Sequence, residues 1–466
     1  GPVAVSGTNG PDAITIIARD GSTHLGTDGV RDFTVAINAL PEILFVDSAS
    51  LTVDAKGGSD EITLIAPAPN NAAWNVQVTI DGGVGVADRL IVQTPGAGAE
   101  SVAYTPSTFS GGTLNLLSLT SLVTLTGIDS LSYDGEADND SLAVVGTTGD
   151  DTIVHTPGTG NQEGTFRVND LLAISYQNLG AAGMLYADGG ASGSDTLVVN
   201  GTGVNDAFSV DAAGKVSLNS RLAIGTTSIE TLTLEGLAGD DSFTLVPAIS
   251  ASVYTAMNFN GGEQASGTGD RAILAGTVDA DTVSISGQVV SLGGNTVNGS
   301  GLEGIRFDAL GGSDLLTYNG VSGVTENITV SSSGVAGGGQ VSVPNVTLVD
   351  FSGVERIDVN GNTPTETDTL AFSGTNAVDV FQINLAAAGS DANPILKLQN
   401  AAATQTLLTL CNYTNFNTLR VMGLDGDDVF NVKTAPVNSR NLFVDGGQPT
   451  GKKKSTDKLN VFYVPP

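Results

Sequence analysis

The chain has 466 residues, 61 of them glycine, and carries 49 acidic against 18 basic side chains, a net charge of −31. That balance argues against nucleic acid or an anionic membrane as the main partner, and leaves divalent cations or plain solubility as what the acids serve. Cys411 stands alone, so an intramolecular disulfide is excluded; His24 and His155 cannot complete a zinc site with it at any usual spacing, and no apolar run reaches the roughly 18 residues that span a bilayer.

Helix formers never gather into a 3.6-residue period, whereas short alternating runs bounded by Gly, Asp and Asn recur throughout. The expected fold is all-β: an elongated, solenoid-like stack with parallel β-helix character and hairpin insertions, the alternative being a row of small β-sandwiches. Gly1-Pro2 reads as the scar of a removed affinity tag, and the chain is expected to be a piece cut from something longer. The remainder is expected to be one continuous body, 3–466, in units 3–77, 78–184, 185–256, 257–355, 356–440 and a partial 441–466.

Two motifs repeat along it. The first is an acidic corner running into a strand: AKGGSDEITL ending on Leu64, GEADNDSLAV on Val144, GLAGDDSFTL on Leu245, ALGGSDLLTY on Tyr318 and GLDGDDVFNV on Val432. Its anchoring acids are Asp60, Asp140, Asp241, Asp314 and Asp428. The second motif holds two aspartates eleven residues apart around a central Gly-Thr: Asp140 and Asp151, Asp195 and Asp206, Asp270 and Asp281, Asp368 and Asp379. Looser copies run from Asp88 to Glu100 and from Asp314 to Glu326, each with one extra residue. Alternation on both sides of a Gly-bearing turn predicts hairpins at 208–219 and 281–294, and inserted hairpins within 158–183 and 391–417. Lys452, Lys453 and Lys454 read as a solvated loop. The chain opens on the second half of the eleven-spaced motif, with Gly7-Thr8 and Asp12. It closes on the first half, from Asp457 to Val461, so the two ends are complementary. Apolar positions after each acid should face the core: Leu197, Val199, Phe208, Val210, Leu232, Leu234, Phe243, Leu245, Leu370, Phe372, Phe381, Ile383, Phe430 and Val432.

GLDGDDVFN and GLAGDDSFT resemble the nonapeptide GGxGxDxUx of repeats-in-toxin proteins, in which stacked glycine-aspartate turns bind calcium in a parallel β-roll. The resemblance implies calcium ligands at Asp428 and Asp241, and at Asp314, Asp60 and Asp140. The longer pattern, IExLxLxGLxGDDxFxL with DxLxVxGTxxxDxFxV, is similar to repeats of very large secreted and surface proteins of planctomycetes and other aquatic bacteria. That similarity implies an extracellular, cell-surface setting and a structural or adhesive role, of the kind served by S-layers.

Read from chemistry alone, calcium takes six to eight oxygens, and glycine-rich turns with closely spaced acids can supply several. Asp425, Asp427 and Asp428 form the densest such set, and Asp240 stands beside Asp241 in the same way. The alternative is that each Asp caps its turn by accepting backbone N–H groups, which needs no metal. An active site should be an exception to the repeat. Asp150, Asp151 and Arg167, or Asp270, Arg271 and Asp279, are conceivable polysaccharide-cleaving sets, but no nucleophile elbow, phosphate loop or histidine set accompanies them. Together with the setting that the resemblance implies, the expected function is a non-enzymatic structural or adhesive surface module, calcium-stabilised and assembling head to tail with copies of itself or with neighbouring repeats of a longer chain. A glycan- or protein-binding module is the alternative, and a polysaccharide-active enzyme a second one.

Overall fold

The computed structural model describes residues 1–19, 21, 27, 30–66, 74–95, 98–116, 121–246, 253–264, 269–361, 368–385, 394–416, 418–434, 441–447 and 456–463. His24 and the three lysines from 452 to 454 lie outside them. The described residues form strands and turns only, so the fold is all-β as expected, and no helix is long and apolar enough to cross a membrane. The chain divides into two compact units, one of residues 1–202 with 214–235, the other of 203–213 with 236–466.

Each unit contains strands of two large sheets, the second unit adding a two-stranded pair of Ala238–Gly239 and Glu263–Gln264, and outside the antiparallel meanders the chain passes from one large sheet to the other between successive strands. In the first unit Ser50–Asp54 pairs in parallel with Pro2–Ser6 and Gln77–Asp81 in one sheet. Glu61–Ile65 does the same with Ala13–Ala18 and Arg89–Gln93 in the other. In the second unit Ala207–Val210, Ser242–Leu245, Arg271–Ala275 and Gly304–Asp308 form a continuous parallel run. Parallel pairing in register brings equivalent positions of successive repeats together, as Phe208 opposite Phe243 and Phe381 opposite Phe430. Those rings stack at 5.1 and 4.8 Å.

The parallel run is interrupted by three-stranded antiparallel meanders. Thr152–Pro157, Gly164–Val168 and Ile174–Gln177 make one. Its first strand pairs forward with Thr196–Asn200, and its last pairs back with Ser130–Asp134, so the chain overshoots by two strand widths and returns. The same construction holds for Ser101–Thr108 to Ser121–Thr126 in the first unit. In the second unit it holds for Thr282–Ser286 to Asn295–Ser300, Asn327–Ser332 to Leu348–Ser352, and Asp379–Asn384 to Thr406–Thr414. The hairpins expected at 281–294, within 158–183 and within 391–417 are arms of these meanders. All fourteen expected core positions are buried. Strict period-two alternation decides this, because it sends every second side chain between the sheets.

Candidate metal centre

The acids before the strands form hydrogen-bonded ladders. In the first unit Asp60 Oδ1 accepts the backbone N–H of Asp12 at 2.7 Å, and Asp88 Oδ1 accepts that of Asp60 at 2.9 Å. In the second, Asp241 Oδ1 accepts from Asp206 and Asp270 Oδ1 from Asp241, both at 2.7 Å. Asp314 serves Asp281 at 2.7 Å, and Asp428 serves Asp379 at 2.8 Å. Several ladders end on a glutamate, as where Glu355 Oε2 accepts the Asp314 N–H at 2.8 Å. The chain turns from one sheet to the other at these corners, so the corner N–H has no strand carbonyl opposite it. A buried N–H needs a partner, and the carboxylate of the next repeat supplies it.

At the head of a ladder the acid also folds back on its own turn. Thr8 and Thr147 donate their backbone N–H to Asp12 and Asp151 Oδ2 at 2.6 Å; Thr277 and Thr375 do so to Asp281 and Asp379 at 2.5 and 2.6 Å. The preceding glycine is needed for space, since a Cβ on Gly146 would lie 2.7 Å from Asp151 Oδ2. This accounts for Gly-Thr at a constant distance from Asp. Where the spacing grows by one residue the acid becomes glutamate, and its extra methylene lets Oε2 reach the Val321 N–H at 2.9 Å from Glu326.

Asp60, Asp140, Asp241, Asp314 and Asp428 are all buried ladder acids. Burial raises the pKa values of Asp60 and Asp314, and pushes those of Asp241 and Asp428 up to about 6; the backbone N–H each one accepts works against that rise. Around them Asp427 is exposed and Asp425 half-buried, while the N–H of Asp240 donates to Asn205 Oδ1 at 2.9 Å. Asp425, Asp427 and Asp428 are not drawn into one converging set. Among the other acids weighed above, Asp151 is a cap, Asp270 a ladder member, and Arg167 pairs with Asp170 on the surface. His155 is a core residue against Phe166, with Nε2 2.8 Å from the Tyr176 hydroxyl; burial drives its pKa down to about 3.

One expected acid does join a cluster. Among the described residues, Asp140, Glu100 and Asp138 offer carboxylate oxygens that all lie within 4.8 Å of one another, and these three could hold a metal ion. Asp140 Oδ1 accepts the Glu100 backbone N–H at 2.7 Å, the ordinary ladder bond, and Oδ2 accepts the Thr94 hydroxyl at 3.1 Å. Thr94 Oγ1 is in turn 3.0 Å from the Tyr133 hydroxyl. Glu100 is 4% exposed, yet no N–H or hydroxyl donates to its Oε2 or to either carboxylate oxygen of Asp138; both side chains face the carboxyl of Asp140 instead. Burial first, and then the neighbouring carboxyls, raise the pKa values of both Glu100 and Asp140. Glu100 and Asp138 were not among the ligands expected from sequence. The available signal was their departure from the repeat: Glu100 occupies an Asp slot with shifted spacing, and Asp138 occupies a slot that is glycine in the other four corners. No protein-family model and no curated protein matches the chain.

Proposed function

We propose that the chain is an extracellular structural or adhesive module of a surface protein, stabilised by calcium and able to assemble head to tail. The observation that carries this reading is the use of the recurring acids. Each ladder carboxylate is committed to a backbone N–H of the neighbouring repeat, so the most conspicuous feature of the sequence maintains the framework. A chain that invests its acids this way is suited to holding shape and presenting long polar faces. Calcium enters through the acidic cluster, whose oxygen-only donors suit a hard cation.

Head-to-tail assembly is supported by an exposed strand in the second unit, the outermost of its sheet among the described residues. Strand Lys458–Tyr463 pairs with Val429–Thr434, is exposed along its length, and displays Leu459, Val461, Phe462 and Tyr463. Unpaired strand edges recruit further strands. Sedimentation velocity over a wide concentration range, in calcium and in chelator, tests the assembly. Concentration-dependent higher species that disappear when residues 456–463 are removed are expected, and a monomer under every condition would sink the self-assembling form of this reading.

A further inference from the structure

The turn from Gly135 to Asp140 departs from its four counterparts at the positions a ligand would feel. Two residues before the anchoring acid the counterparts carry Gly58, Gly239, Gly312 and Gly426, with φ of 145°, 143°, 122° and 144°. The equivalent residue here is Asp138, flanked by Ala137 and Asn139 at φ of 73° and 79°, a path the other corners do not follow. A second departure is on the facing segment. Glu100 stands where most ladder heads have Asp, with the one-residue-longer spacing also seen at Glu326. Glu326 Oε2 accepts the backbone N–H of Val321, five residues earlier. The residue five before Glu100 is Pro95, which has no N–H to give. One change removes a donor and the other adds a carboxylate, and they meet at the same place.

We propose that Glu100, Asp138 and Asp140 bind one hard divalent cation of the calcium class, and that calcium acts on this protein here and not at the repeated ladder corners. The inference rests on the calcium reading above and narrows it to one site. Calcium–oxygen distances of about 2.3–2.6 Å keep the ligands of one ion within about 4.6–5.2 Å of each other, and the oxygens of this cluster lie within 4.8 Å of one another. Magnesium demands a tighter octahedron, and zinc prefers nitrogen and sulfur donors. The Thr94 hydroxyl holds Asp140 Oδ2 in place from behind. The anchoring acids of the other four corners likewise give Oδ1 to a backbone N–H and leave Oδ2 without a donor, but the slot of Asp138 is glycine there, so no carboxylate reaches the corner from that position. A bound cation would tie the entry of strand Ser101–Thr108 to the turn that launches Ser141–Val145.

The test uses the full chain with terbium(III) and calcium chloride as probes. Tyr133 lies close enough to sensitise terbium emission, which should saturate and be displaced by calcium. Calcium should also raise the melting temperature of the wild-type chain. D138G restores the residue of the repeat; it should fold, and should lose at least tenfold in calcium affinity together with the thermal shift, as should E100Q. D427N, at an exposed acid of the densest acidic corner, should respond like wild type. D138N keeps the shape of the side chain and replaces D138G if that variant does not fold. Folded E100Q and D138G or D138N chains with wild-type calcium responses would overturn this site while leaving the calcium reading intact. No thermal shift and no terbium emission from the wild-type chain would overturn both.

Discussion

The corners at Gly423–Asp428 and at Gly135–Asp140 start from the same plan and end differently. Both place a buried Asp before a strand, both give its Oδ1 to a backbone N–H, from Asp379 at 2.8 Å and from Glu100 at 2.7 Å, and both bring the leading glycine against Oδ2. At Gly426 the chain passes so close to Ala377 that a Cβ would lie 2.7 Å from its carbonyl oxygen, at a φ of 144°. Only glycine serves there at low cost. At Asp138 the path is rerouted, and the space used elsewhere for backbone-to-backbone contact holds a carboxylate facing two others. The first corner is complete as a structural joint; the second has acids in excess of what the joint requires.

The largest expected effect tests what the two corners share. Phe430 and Leu142 are the second residues after their acids, are 1% and 0% exposed, and occupy the same inward position. F430A and L142A should each cost about 2–5 kcal/mol in denaturant-induced unfolding, through lost burial and the cavity left behind. A loss under about 1 kcal/mol for either would mean that its strand does not face the core as described. D428A comes next. It strands the Asp379 N–H in a buried corner and should cost about 1–3 kcal/mol. D140A in chelator should cost less than D428A, because removing one of three crowded carboxylates relieves repulsion. Equal costs at the two corners would erase the distinction between them.

Acidification tests the ladders as a class. Asp241 and Asp428 titrate near 6 in the folded chain because burial disfavours their charged forms, against about 3.8 in the unfolded chain. A carboxyl whose folded pKa is raised binds more protons folded than unfolded between those values. Its contribution is therefore fully present below about 3.8 and lost as pH rises through 6. Unfolding midpoints in chelator should rise as pH falls from about 7 toward 4. Asp12 sets a limit at the acid end: the Thr8 N–H holds its pKa below the usual range, so its contribution is lost on further acidification. Midpoints that fall steadily from pH 7 to 4 would contradict the raised values. The smallest effect belongs to D427N, an exposed corner acid, which should change stability by no more than about 0.5 kcal/mol.

Much of this was readable from residue order. Alternation identified the inward positions from Leu197 to Val432, because a strand has only two faces and its side-chain period is fixed by the backbone. The eleven-residue spacing with Gly-Thr marked the ladder heads, because a turn of that length needs a donor N–H, a small residue beside it and an acid at one reach. Those are local constraints, and local constraints leave a period in the sequence. The acidic cluster is not local. Glu100 and Asp140 are 40 residues apart, and they meet because Ser101–Thr108 pairs in parallel with Ser141–Val145 across a returning meander. Residue order shows that Asp138, Pro95 and Glu100 are irregular, but it does not show that the irregularities share one place. The same distinction separates the aspartates from one another. Asp425, Asp427 and Asp428 are crowded in sequence, yet Asp428 is buried before its strand while Asp427 is exposed and Asp425 half-buried. Which carboxylates converge was decided by the register between strands, a property of the folded sheets.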